Sequence, residues 1–187
     1  VGLIKLKFSH ISDCHLGGWR NPKLDELGMK SFEKSIEESI EEEVDFIICS
    51  GDLFDTSRPP IDTLERTVEK LRELDNEGIE FYAIEGSHDF SPTDKTMMKV
   101  LESAGLLTRV AKIETKESGK LKLKFTIDEK TGAKITGIVG RQRALEESYY
   151  ENLDRKDLEA ENGFKIFMFH SAISEYRPEI FQHMKGI

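Results

Sequence analysis

Four short apolar runs, each ending in polar residues able to hold a metal, constrain this chain more than any other feature. The first carries Leu3, Ile4, Leu6 and Phe8 and leads into Asp13-Cys14-His15-Leu16-Gly17. The second, Val44 to Cys49, ends in Ser50-Gly51-Asp52, with Asp55 three residues on. The third, Ile79 to Ile84, ends in Glu85-Gly86-Ser87-His88-Asp89, and the fourth, Phe164 to Phe169, ends in His170-Ser171. Runs of this length bounded by turn residues read as buried strands. Ligands collect at the carboxyl ends of strands in open α/β sheets.

Amphipathic segments separate the runs. Phe32, Ile36 and Ile40 recur every four residues within Met29–Glu43, which predicts a helix after an exposed loop over Gly17–Asp25. Asp62 is placed to cap a second helix carrying Leu64, Val68, Leu71 and Leu74, closing near Gly78. A third is expected over Thr93–Ala104. Alternating β segments follow from Leu107 to Val139, and a charged helix is expected over Ala144–Glu161. Strands alternating with helices predict an α/β fold of layered sheets flanked by helices, in one domain over residues 1–187.

Charged residues at 34% and hydrophobic ones at 37% suit a globular protein and exclude a disordered one. No apolar run approaches the ~20 residues of a membrane span, and no signal-peptide layout opens the chain, so a cytoplasmic protein without membrane contact is expected. A net charge of −9 argues against nucleic-acid binding through a broad basic face, although bound divalent cations reverse the sign locally. Two cysteines, Cys14 and Cys49, make no disulfide framework and are expected to be buried reduced thiols.

Taken singly, each polar strand end is unremarkable in a folded chain. Gly-Asp after a strand is more often a turn, and a lone histidine such as His170 is more often a core residue. His10 is expected to be structural and His183 to lie on the surface. Repetition changes the balance, because independent strand ends deliver carboxylates and imidazoles without a cysteine cluster. Such donors suit Mn²⁺, Fe or Zn²⁺ at a hydrolytic site. Two ions ~3.5–4 Å apart would hold a phosphate and activate a bridging water, and Asp52 is the candidate shared ligand.

Asp13-x-His15, Gly51-Asp52-Leu53-Phe54-Asp55 and Gly86-x-His88-Asp89 resemble the first motifs of the calcineurin-like metallophosphoesterases. His10 to Gly17, Ser50 to Pro60 and Phe81 to Asp89 further resemble the Mre-type (SbcD-like) double-strand-break repair nucleases. The resemblance spans roughly residues 4–175. It implies a layered α/β/β/α metallophosphoesterase fold and a manganese-dependent exo- and endonuclease that is nucleoid-associated. It also implies a homodimer, DNA as substrate and an SMC-like ABC ATPase as partner. By the same resemblance Asp13 and His15 bind the first metal and Asp52 bridges both. Ser87 and His170 bind the second, and His88 serves the scissile phosphate as acid or charge stabiliser.

The chain departs from that pattern in two places. Ser87 stands where the family has Asn, and its shorter, neutral hydroxyl is a poorer ligand, so a weaker second metal site is expected. A further Gly-x-His-x-His-like strand end, the C-terminal part of the fold and a capping domain are expected to be missing from residues 1–187. Trp19, Arg20, Lys23 and Arg58, with Arg141 and Arg143, are candidates for DNA phosphate contacts. Two other readings stand beside the nuclease: a metallophosphoesterase acting on small phosphodiesters or phosphoproteins, and a catalytically silent scaffold that dimerises or tethers DNA.

Overall fold

The computed structural model describes residues 6–91, 93, 95–141, 147–173 and 176. Arg143, His183 and the apolar positions Leu3 and Ile4 lie outside the described residues. Strands β1 (Phe8–Ile11), β2 (Phe46–Ser50), β3 (Glu80–Ile84) and β4 (Thr108–Arg109) form a parallel sheet in sequence order. Helices α1 (Pro22–Glu41), α2 (Ile61–Asn76) and α3 (Met97–Ser103) make the crossovers. A hairpin, β5 (Lys112–Thr115) with β6 (Leu121–Lys124), leads to a second sheet of β7 (Thr126–Ile127), β8 (Lys134–Ile138) and β9 (Lys165–Phe169). Strand β8 pairs antiparallel with β7 and parallel with β9.

Phe46–Cys49 of β2 and Phe81–Ile84 of β3 are buried without a break because the first sheet is covered on both faces. Side chains alternate between the two sides of a strand. Ile47, Cys49, Phe81 and Ala83 pack with Met29, Phe32, Ile36, Leu71, Leu74, Met98 and Leu101 of the three helices. Phe46, Ile48, Tyr82 and Ile84 pack the other way, onto Ala133, Ile135 and Met168 of the second sheet region. The result is the expected layered α/β arrangement, with Ile127 and Phe167 exposed on the outer face of the second sheet. Among the described residues no helix is long and apolar enough to cross a membrane.

Several boundaries differ from expectation for identifiable reasons. Helix α1 starts at Pro22, inside the expected loop, because the Asn21 side chain accepts the Lys23 N–H at 3.0 Å and proline is suited to the first turn. Asp62 is not a cap: α2 begins at Ile61 after Pro60, and Asp62 sits in its first turn. Helix α3 begins only at Met97, capped by Thr96. The helix expected over Ala144–Glu161 is two short ones, α4 (Glu147–Glu151) and α5 (Arg155–Ala160). The break falls where Leu121 exchanges backbone hydrogen bonds with Asn152 and Asp154.

Candidate metal centre

The strand ends converge because the loops after β1 and β2 continue to run side by side. Asp13 N–H donates to Gly51 O at 3.1 Å, His15 N–H to Asp52 O at 3.0 Å and Leu16 N–H to Leu53 O at 3.0 Å. Asp13, His15 and Asp52 all adopt left-handed backbone conformations, with φ of 56°, 44° and 52°. Such conformations cost of order 1–3 kcal/mol each in a non-glycine residue and gather at functional sites. Gly51 precedes Asp52 with φ 96°, and a methyl group there would stand 2.6 Å from His170 Nδ1. A side chain at Gly86 would overlap the Asp52 carboxylate and backbone nitrogen, so glycine alone lets the end of β3 approach.

Asp52 is the hub. Its carboxylate is 4% exposed, Oδ1 accepts the His88 backbone N–H at 2.8 Å, and Oδ2 faces His170 Nε2 at 3.1 Å and His15 Nε2 at 3.7 Å. Two groups of ligand atoms share it, each within 4.8 Å: Asp13, Asp52 and His170 on one side, His15, Asp52 and His88 on the other. The resemblance divides the ligands differently, Asp13 with His15 and Ser87 with His170, and keeps His88 for the phosphate, but it too centres on Asp52. Carboxylate oxygens and imidazole nitrogens without thiolate are the donor set of a hydrolytic divalent-metal site. Cys14, between Asp13 and His15, packs toward the helix-side core, and burial together with the Asp89 and Asp13 charges pushes its thiol up to about 12.

The imidazoles are oriented by their second nitrogens. His170 Nδ1 donates to Ser50 O at 2.8 Å, leaving Nε2 toward Asp52. His15 Nδ1 faces Asp55 Oδ1 at 3.1 Å, and His88 Nδ1 donates to Asp55 O at 2.8 Å with Asp55 Oδ1 at 3.3 Å. The His15 and His88 rings meet edge-on at 4.8 Å. Burial opposes ionisation of Asp52, yet hydrogen bonds from His170 and His88 hold its carboxyl below the ordinary range. Burial likewise opposes the charged form of His170, but the hydrogen bond and charge of Asp52 outweigh it and raise the imidazole to about 9.

A family model for calcineurin-like phosphoesterases matches residues 6–184. The chain belongs to the calcineurin-like phosphoesterase family. It is also similar to proteins named DNA double-strand break repair protein Mre11. That of Methanococcus maripaludis is 31% identical over 181 residues, 95% of this chain and 46% of the relative. The Sulfurisphaera tokodaii protein is 33% identical over 180 residues, 93% and 43% of the two chains. The Archaeoglobus fulgidus protein is 38% identical over 104 residues, 54% and 24%. This chain spans less than half the length of these relatives.

Within this family member, the residues picked from the sequence fall into two sets. Asp13, His15, Asp52, His88 and His170 come together. Ser87 lies between Gly86 and His88, half-buried, and its hydroxyl makes no hydrogen bond among the described residues. Trp19 and Arg20 are exposed in a loop whose Gly18 lies against the Asp55 carboxyl, and Arg58 is exposed in the loop after Asp55. Both loops therefore flank the His15–His88 corner. His10 hydrogen-bonds Ser50 Oγ at 2.9 Å and shares a cleft of about 540 Å³ with Asp13 and His170.

Two carboxylates have roles that residue type alone does not reveal. Asp55 orients His15 and His88, and its place in Gly-Asp-x-x-Asp is the signal the sequence offers for it. Buried Asp89 accepts the N–H groups of Leu53 at 3.1 Å, Phe54 at 2.9 Å and Gly86 at 3.2 Å, tying the β2 and β3 loops together.

The His170–Asp52 pair makes metal binding compete with a proton. A ligating imidazole must be neutral, so at pH 7.5 divalent-metal binding should release about one proton, and affinity should rise about tenfold per pH unit up to about pH 9. Calorimetry in buffers of different ionisation enthalpy measures the release; none at pH 7.5 would contradict the pairing. Because the folded value lies above the ordinary 6.5, the metal-free protein keeps this stabilisation below pH 6.5 and loses it as pH rises through about 9.

Proposed function

We propose that this chain is the metal-binding portion of a DNA nuclease that hydrolyses phosphodiester bonds with two manganese ions. The observation that carries the reading is the buried Asp52 carboxylate, which faces His170 Nε2 at 3.1 Å and His15 Nε2 at 3.7 Å and groups with Asp13. Asp13, His15, Asp52, Ser87 and His170 are the residues that would hold the ions, with Asp52 shared. Held there, two divalent cations would polarise the phosphate and lower the pKa of a water between them. The ligands sit on loops locked by backbone hydrogen bonds, which supports a site built before substrate arrives.

His88 takes a different role from the other imidazoles. Its side chain is 42% exposed, against 31% for His15 and 17% for His170. With Nδ1–H given to Asp55 O, it offers Nε2 to a bound phosphate and can stabilise or protonate the leaving oxygen. Trp19, Arg20 and Arg58 flank that corner and would meet the DNA. The similarity to proteins named for DNA double-strand break repair supports DNA as substrate; a homodimer, an SMC-like ABC ATPase partner and a place at the nucleoid are what the motif resemblance implies.

Ser87 favours a second reading, a scaffold that keeps the fold but holds one ion. Manganese-dependent cleavage of a DNA oligonucleotide, measured beside a chromogenic phosphodiester, tests the choice. Ser87→Asn should raise cleavage at limiting manganese by roughly tenfold, an amide oxygen reaching further than a hydroxyl. No gain would remove Ser87 as the weak point. Cleavage of the chromogenic diester without cleavage of DNA would point to another phosphoesterase, and cleavage of neither to the scaffold.

A further inference from the structure

We propose that Arg141 grips a phosphate of the bound strand next to the one that is cut. The proposal rests on the phosphodiesterase reading above and adds to it a residue that holds substrate from the side of the second sheet. Arg141 leaves the end of β8 through Gly140, whose N–H donates to Glu85 O at 2.8 Å. The Gly140 backbone lies directly on His170: a methyl group there would stand 2.7 Å from His170 Cδ2 and 2.8 Å from its carbonyl oxygen. One residue thus separates Arg141 from a ligand of the metal centre.

The guanidinium is held by aromatic rings. Its central carbon lies 4.9 Å from the Phe90 ring centre and 5.6 Å from that of Tyr149, and Nη1 donates to the Tyr149 hydroxyl at 3.1 Å. Phe90 belongs to the His88 turn, its N–H donating to Gly86 O at 3.2 Å. The cation therefore spans from the end of β8 to the turn that carries His88.

What it lacks is an anion. Arg66, Arg72 and Arg109 each reach a carboxylate, whereas among the described residues Arg141 has none within 4.0 Å, in a chain of net charge −9. Its Nε is buried without a hydrogen-bond partner. A cation partly removed from water and left unpaired is unfavourable until an anion completes it. A planar guanidinium stacked on aromatic faces, with donors unspent, is arranged for a phosphate's paired oxygens. A carboxylate is the other anion that fits such a fork, but the neighbouring metal ligands select a phosphodiester as the group brought here.

The experiment uses the full chain and its R141Q and R141K variants. Binding of a single-stranded oligonucleotide is followed by fluorescence anisotropy with calcium, across a salt series. R141Q should bind about tenfold more weakly and lower the slope of log K against log salt by ~0.7, the value for one phosphate contact on a single strand, while R141K, a point charge without the paired donors, should hold that phosphate more weakly than wild type and more tightly than R141Q. A merely structural arginine would change the melting temperature and leave the slope alone. If wild type binds and R141Q shows the wild-type slope, the Arg141 assignment falls and the phosphodiesterase reading stands. If wild type does not bind, both fall. Should R141Q not fold, single methylphosphonate linkages decide with wild type and R141K. A neutral linkage that costs wild type more than R141K supports the contact, and equal costs at every linkage overturn it.

Discussion

Asp52→Asn should lower metal-dependent phosphodiester cleavage by about 10³-fold or more while leaving the fold intact. The amide keeps the shape of the carboxylate and one oxygen to accept the His88 N–H, so the turn that carries His88 can stay in place. What disappears is the negative charge that both ligand groups share. Losing a ligand private to one group would leave the other complete; losing Asp52 weakens both. The same change removes the partner that holds His170 at about 9, so the imidazole should fall back toward 6.5. Melting curves of the metal-free protein should then lose the wild-type decline between pH 6.5 and 9. Cleavage within tenfold of wild type would remove Asp52 from the centre of the site, whatever the melting curves show.

How much of this is legible in the sequence depends on whether a residue's role is set locally. The strands are legible because β2 and β3 are buried on both faces. An uninterrupted apolar run ended by Ser50-Gly51 or Glu85-Gly86 fits little besides a covered strand. The start of α1 is not legible, because its first turns leave Leu24 and Leu27 exposed and show no apolar face. Only Asn21-Pro22 marks it. The break between α4 and α5 is imposed by Leu121, about thirty residues earlier, through a backbone pairing that no local periodicity records.

In the site, residue types at strand ends are enough to nominate ligands but not to sort them. Asp52, Asp55 and Asp89 are all acidic residues of the same two motifs. One sits between the ligand groups, one orients two imidazoles and one holds three backbone N–H groups. The difference lies in the left-handed turns at Asp13, His15 and Asp52, which redirect side chains in ways that strand alternation does not anticipate.

Asp89 shows what the metal centre depends on beneath its ligands, and Asp89→Ala should destabilise the protein by roughly 3–5 kcal/mol, read from urea unfolding. Alanine leaves the N–H groups of Leu53, Phe54 and Gly86 buried with nothing to accept them, at about 1–3 kcal/mol each before relaxation. The ionised carboxylate is itself under strain. Burial, with the nearby Asp52 charge adding to it, pushes the Asp89 carboxyl up to about 6 against the opposing backbone hydrogen bonds. Since the folded value exceeds the ordinary 3.8, the penalty is absent below pH 3.8 and fully present above about pH 6. Asp89→Asn, which cannot ionise, isolates that effect: groups elsewhere cancel in the comparison with wild type. The stability gap between wild type and the Asn variant should therefore be wider at pH 4.5 than at pH 7, because only wild type loses stability from this position as pH rises. A gap that widens toward pH 7 would mean that the three N–H groups favour the charged form more than burial disfavours it. Asp89 would then be a carboxylate held ionised beside the metals. On the present geometry it is a buried clasp, and the two loops it joins carry Asp52 and His88 into place.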